Sequence, residues 1–366
     1  MKKHTALIAL ALLCWGCGST SGSTPVNPPL EGITIETLQT GSSPLFVHVA
    51  DLNGDGRDDI LASDRTGNRL QLLAQTPGSS FVQPQDLALP ASPAQARTAD
   101  LDADGNVDIA VALRSSSQVG LLMGTGGGQF APLQLVIPGA EPQGLEVGDL
   151  DQDGRLDLVV SNVGSNNVSL FFGQPGGFSA PLTLPAGTNP VQVVIGDFND
   201  DGRPDVAASN FGAGSVSLFL NLGSRNFATS TLTAGPGAFG LLAVDLNGDG
   251  RDDLLVANEQ GNSMTRFLQL GQGQLDGGTS FQVGVRPDLM IARDFNGDGF
   301  PEIFVTLEGE DGVALLEGKP DGSQERVQFF GTDGGPVGIA GGAFSNGGLF
   351  MVTANFFGTG LSLFRF

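Results

Sequence analysis

The chain has 366 residues, 40% of them hydrophobic and 15% charged, and a formal net charge of −22. That length and hydrophobic content can bury one large repeat domain or two ordinary ones, while the acidic balance excludes a basic patch for nucleic acid or for an anionic membrane surface. Its 56 glycines, about twice the usual share, carry no collagen period and come without a single tyrosine, which points to many tight turns in an all-β protein.

Lys2 and Lys3 precede an apolar run from Ala6 to Trp15. This is the layout of a secretory signal over residues 1–16, charged and then apolar, and too short to span a bilayer. It ends at Gly16-Cys17, a small residue followed by cysteine, which resembles the lipobox of bacterial lipoproteins. The resemblance implies that Cys17 is lipidated and becomes the first residue; the alternative is an ordinary signal peptide with an incidental cysteine. Cys14 leaves with the signal, so the exported chain forms no internal disulfide and needs another means of holding itself together. Gly18 stands where an Asp would retain a lipoprotein at the inner membrane, so the same resemblance favours the outer membrane. Residues 17–32 are mostly Ser, Thr, Gly and Pro and read as a flexible tether.

From residue 33 to 366 the chain repeats itself. Six acidic loops begin at Asp51, Asp100, Asp149, Asp197, Asp245 and Asp294, at intervals of 49, 49, 48, 48 and 49 residues. Side-chain oxygens recur at every second position, and a glycine follows the third. The first loop carries Asp51, Asn53, Asp55, Arg57 and Asp59, and the second Asp100, Asp102, Asp104, Asn106 and Asp108. The third carries Asp149, Asp151, Asp153, Arg155 and Asp157, and the fourth Asp197, Asn199, Asp201, Arg203 and Asp205. The fifth carries Asp245, Asn247, Asp249, Arg251 and Asp253, and the sixth Asp294, Asn296, Asp298, Phe300 and Glu302.

Converging oxygens on a loop that glycine lets turn sharply suit a hard cation. Positions one, three and five offer side chains, position seven (Arg57, Asn106, Arg155, Arg203, Arg251, Phe300) a backbone carbonyl, and position nine a carboxylate. Position twelve is Ala62, Val111, Val160, Ala208, Val256 or Val305, which excludes an EF-hand. With oxygen ligands and neither His nor Cys, calcium is the expected metal, up to six ions, one per loop. The ligand positions of the loops hold 20 of the 39 acidic residues, a clustering that repels itself without cations.

A proline stands seven residues ahead of five of the loops, as Pro44, Pro93, Pro142, Pro190 and Pro287, with Ala238 in the remaining place. Pro336 continues the series, and Ala343 to Gly348 after it keeps the outline of the loop without a carboxylate. There are thus seven repeats. Each parses into four strands: strand a after the proline; strand b, apolar at successive positions as in Leu158-Val159-Val160; strand c, more alternating; and strand d, expected to open with Phe81, Phe130, Phe178, Phe227 or Phe281. Four strands per repeat of about 50 residues define a β-propeller blade. The expected fold is therefore all-β, a seven-bladed propeller with no helix beyond the signal. The seventh repeat ends at Phe366 without a strand d, and Ile33 to Leu38 forms a strand with no blade of its own, so the two complete one blade and close the ring.

These loops, glycine-rich turns and phenylalanines resemble the FG-GAP (VCBS-type) repeats that build the propeller of integrin α subunits. The resemblance spans residues 33–366 and implies calcium at the loop positions named above. It is more specific about fold than about activity. In the integrin relatives the face opposite the calcium loops meets the ligand. Here that face carries short polar b–c loops, among which Phe211, Phe356 and Phe357 are candidates for exposure.

No catalytic site is legible. The single histidine after the signal, His48, lies three residues before Asp51, where a structural role is expected. The expected function is a calcium-stiffened, monomeric surface module that binds a protein or polysaccharide partner, joined to the membrane only through its lipid. The alternative is an extracellular polysaccharide hydrolase or lyase on the same scaffold.

Overall fold

The structure, a computed structural model, describes residues 32–41, 43–271, 274–295, 297–358 and 360–366. The signal, Cys17, nearly all of the tether, and Asn296 of the sixth loop lie outside the described residues. Among the described residues no helix is long and apolar enough to cross a membrane.

Seven four-stranded antiparallel sheets are arranged as the blades of a propeller. Strand a of every blade touches strand a of the blades on either side, and the seventh touches the first, so the ring is closed. In blade 3, for example, Pro142–Gly148, Asp157–Asn162, Asn167–Phe171 and Leu182–Pro185 run as a, b, c and d from the axis outward. Strand b of blades 1 to 6 is buried at all six positions, as expected of a strand covered on both faces. The core is divided into seven apolar clusters, one at each junction between neighbouring blades. Burial between blades, the main stabilising term, therefore acts around the whole ring.

Closure follows the expected pairing. Thr34–Gln39 is the fourth strand of blade 7 and pairs antiparallel with Gly360–Arg365, from Thr34 opposite Arg365 to Gln39 opposite Gly360. Arg365 also binds Glu36 across this seam, at 2.6 Å. The two ends of the propeller chain are joined by backbone hydrogen bonds in place of a covalent link.

Two expectations need correction. In blades 1 to 3 the phenylalanine precedes strand d. Phe81 forms an isolated bridge with Gln75, and Phe130 and Phe178 sit in two-residue ribbons; strand d then begins at Gln85, Gln134 and Leu182. Phe227 occupies the equivalent seat opposite Asn221. In blade 5 that seat is filled by Leu275, opposite Gln269, and Phe281 lies inside strand d, opposite Met264. The second correction is that single 3-10 turns form in two b–c loops, at Arg114–Ser116 and Glu308–Glu310.

Candidate functional site

The six cation loops share one hydrogen-bonding scheme, set by the first Asp. In loop one, Asp51 Oδ1 accepts from Gly54 N at 2.8 Å and Asp55 N at 3.0 Å, while Oδ2 accepts from Gly56 N at 2.8 Å. The bond to the glycine at position six recurs in the other five loops at 2.7–3.0 Å. That glycine has φ between +79° and +90° throughout, a conformation side chains strain to adopt, which explains why position six is invariably Gly. The position-five carboxylates each accept the N–H two residues on, from Arg57 to Phe300, at 2.8–3.0 Å.

At position seven the arginine side chains turn back onto the loop. Arg57, Arg155, Arg203 and Arg251 each pair with the position-five Asp. The first three also donate from Nε to the carbonyls of Gln75, Gly173 and Asn221 at 2.7–3.1 Å. Position nine has a structural task that sequence reasoning missed. Asp59, Asp108, Asp157, Asp205 and Asp253 are fully buried. One oxygen of each accepts from the N–H at loop position two, at 2.7–3.2 Å, and the other from the N–H sixteen residues on, at the end of strand c, at 2.6–2.8 Å. Each staples strand c to the loop. Burial raises their pKa, against these two N–H bonds, to about 6 at Asp59, Asp157 and Asp253 and about 7 at Asp205. Glu302 makes the matching bond to Phe295 N at 2.8 Å.

The donor set fits a hard cation. Carboxylate oxygens of Asp100, Asp102 and Asp108 lie within 4.8 Å of one another, as do those of Asp149, Asp151 and Asp153. Asp151 is held by Arg225 at 2.7 Å through one oxygen, while its buried Oδ1 has no hydrogen-bond partner. The seventh loop has no carboxylate and is braced by blade 1: Ser345 N donates to Gln75 Oε1 at 2.8 Å, and Ala343 N donates to Asp58 at 2.8 Å.

Strand a runs from the opposite face of the ring to its cation loop. At its start, in blades 2 to 7, the pairing with strand b is interrupted by a bulge just after the repeat proline or its alanine counterpart. A strand-b hydroxyl steadies several of these bulges: Ser161 with Gly144 N at 2.8 Å, Ser209 with Gln192 N at 3.2 Å, and Thr306 with Leu289 N at 3.0 Å. The bulged residues enclose a basin of about 670 Å³ at the mouth of the central channel, rimmed by the b–c and d–a loops. The residue after the proline is Leu45, Ala94, Gln143, Val191, Phe239, Asp288 or Val337, so blade 6 alone places an ionisable group there.

Asp288 is 5% exposed, and its Oδ1 has no hydrogen-bond partner. Burial, then Glu259 and Glu308, push its pKa well above the carboxylate range, opposed by Arg286. Arg286 binds Glu259 at 2.5 Å and Glu308 at 2.7 Å. Across the basin Arg114 binds Glu141 at 3.0 Å and Gln143 at 2.8 Å. A sequence signal for Asp288 existed: it is ionisable at a position that is uncharged in the other six blades. Of the three phenylalanines expected at this face, only Phe357 is exposed, at 69%; Phe356 is half-buried and lines the basin, and Phe211 is half-buried edge-on to Phe239. Deeper in the channel, burial and Arg97 lower the pKa of His48 to about 3, and its ring stacks on Phe46.

A propeller of acidic repeat loops is the class that fold and loops define together. Models of the FG-GAP-like repeat match residues 51–111, 100–160, 149–208 and 197–256, and the FG-GAP repeat matches 238–276, so the chain belongs to the FG-GAP repeat family. No curated protein matches the sequence. Among solved structures the chain is similar to BBS1N, crystallised in complex with ARL6DN, with a TM-score of 0.66 at 13% identity over 91% of this chain and 95% of that one. It is similar to the periplasmic gluconolactonase PpgL of Pseudomonas aeruginosa, with a TM-score of 0.63 at 20% identity over 80% and 86% of the two chains. A putative 6-phosphogluconolactonase of Bacteroides fragilis gives 0.60 at 14% identity over 81% and 97%. At these identities the likeness is one of fold.

Proposed function

We propose that this protein is a calcium-stiffened binding module of the cell envelope. Calcium at the six loops holds one face of the ring, and a partner docks on the other. The observation that carries the reading is the division of the two faces. The loop carboxylates are engaged in closing the turns and stapling strands, whereas the basin face offers a cavity with a buried carboxyl that has no partner of its own. A protein partner is favoured over a polysaccharide, since the chain has no tyrosine and its one tryptophan, Trp15, lies in the signal, leaving few aromatic platforms for sugar rings. The BBS1N propeller, crystallised with ARL6DN, is a precedent for a protein partner on this fold. Export by the signal and anchoring through Cys17 place the module on the outer membrane in this reading.

The test of calcium is thermal melting in calcium and in EDTA. Each occupied site adds about 2.7 kcal/mol at a calcium concentration 100 times its Kd. Extracellular sites have Kd values on the order of 0.1–1 mM. A melting curve unchanged by EDTA rejects the reading.

A further inference from the structure

The basin is electrically divided. On the side of blades 5 and 6, three carboxyls (Glu259, Asp288 and Glu308) share the single guanidinium of Arg286. On the side of blades 1 to 3, two guanidiniums, Arg65 and Arg114, stand against Glu141. One buried group has no partner, and one exposed guanidinium stands without an ion pair. Asp288 Oδ1 has no hydrogen-bond partner although the residue is 95% buried by its 5% exposure. Arg65 makes no ion pair among the described residues and lies 5.8 Å from the centroid of the Phe356 ring.

A buried carboxyl without a partner is costly. Here it is held firmly. Thr306 steadies the bulge that carries it, and Gly240 of the next strand a presses so close that a Cβ there would lie 2.0 Å from the Asp288 carbonyl oxygen. The backbone that carries the carboxyl is therefore fixed by its neighbours. The carboxyl oxygens of Asp288 and those of Glu259 and Glu308 form no metal-sized cluster. A hydroxyl-rich ligand could satisfy the hydrogen bond of Asp288 but would leave both charge imbalances. A basic side chain would answer Asp288 and leave Arg65. A ligand charged at both ends answers both, and the volume lies within the range of roughly 300–1,000 Å³ typical of small-molecule sites.

We propose that the basin binds a small zwitterionic ligand of the class of a free short peptide, its ammonium on Asp288 and its carboxylate on Arg65. The proposal rests on the reading of this face as the binding face. The ammonium enters a site faced by Glu259 and Glu308, with Arg286, Phe239, Leu45 and Val337 around it, and favours the ionised form of Asp288 that burial disfavours.

The experiment is titration calorimetry of the calcium-loaded propeller with triglycine, N-acetyl-triglycine and triglycinamide. Triglycine is expected to bind, and each blocked form at least tenfold more weakly. Asp288→Asn should abolish the difference between triglycine and its N-acetyl form, and Arg65→Gln the difference between triglycine and its amide. The ligand series on the unaltered chain stands even where a variant folds poorly. Absence of triglycine binding, or equal binding of all three probes, overturns the proposal. If a partner still depends on basin residues in that case, only the ligand class is wrong and the binding face stands.

Discussion

Replacing Asp157 by alanine separates stapling from metal binding. Asp157 is fully buried, accepting from Leu150 N at 2.8 Å and from Gly173 N at 2.8 Å. Alanine leaves both donors buried without an acceptor, at about 1–3 kcal/mol each, so the loss in EDTA should reach about 2–6 kcal/mol. The loss should also depend on pH. Asp157 titrates at about 6 in the fold against 3.8 for the free group, so its protonation stabilises the fold at pH 5 and no longer does at pH 7. That difference is about 1.4 kcal/mol, so the alanine variant should lose about that much less at pH 7 than at pH 5. Asp153→Ala is the control. Its backbone bond, to Arg155 N at 3.0 Å, and its ion pair are at the surface, so in EDTA it should cost under about 1 kcal/mol and act only by removing the calcium response. The assay is urea unfolding in EDTA and in calcium at both pH values. An Asp157→Ala loss in EDTA no greater than that of Asp153→Ala would refute the staple.

Two further outcomes follow from the same contacts. In EDTA the melting temperature should fall as pH rises from 5 to 8. Asp59, Asp157 and Asp253, at about 6, and Asp205, at about 7, have folded pKa values above the free value of 3.8, so their contribution is complete below that value and is lost as pH passes through 6 to 7. Saturating calcium, which favours the carboxylates, should flatten or reverse the slope, and a flat slope in EDTA counts against these shifts. Deleting the chain through Thr40 should expose the edge of Gly360–Arg365 and yield a destabilised, self-associating protein by size-exclusion chromatography, whereas deletion through residue 31 should leave a stable monomer. Equal behaviour of the two deletions removes the N-terminal strand from the closure.

The ring was legible because its evidence is periodic. A register held from Asp51 to Asp294, with Pro336 continuing it, fixes the number of blades, and the unpaired segments at the two ends fix how they close. Residue identity misled where it was used without register. Leu275 and the phenylalanines of four other blades fill one seat, and Phe281 sits six residues further along the chain in a different role. The staple at position nine was hidden for another reason. Its second partner lies sixteen residues away on strand c, and no local pattern marks a backbone N–H. Asp288 was overlooked because repetition drew attention to what recurs, while the basin is assembled from what differs between blades.

That contrast bears on how the two faces work together. The strand that presents Asp288, Pro287–Arg293, runs directly into the sixth cation loop at Asp294. Its bulge is tied to strand b by Thr306, and strand b begins at Glu302, whose carboxylate binds Phe295 N back across that loop. The basin carboxyl and the loop are thus the two ends of one hairpin, braced by blades 5 and 7 on either side. Holding a carboxyl dry and without a partner requires that this hairpin not relax. Apart from the d–a loops of the chain itself, the seams between neighbouring blades depend on apolar packing and on bridges such as Asn221 Nδ2 to Leu150 O at 2.7 Å and Gln269 Nε2 to Asp197 O at 2.9 Å, both of which end at an acidic loop. Each of these bridges ties the order of a loop to the order of a seam, so calcium at the loops, as proposed, would stiffen the seams as well as the turns.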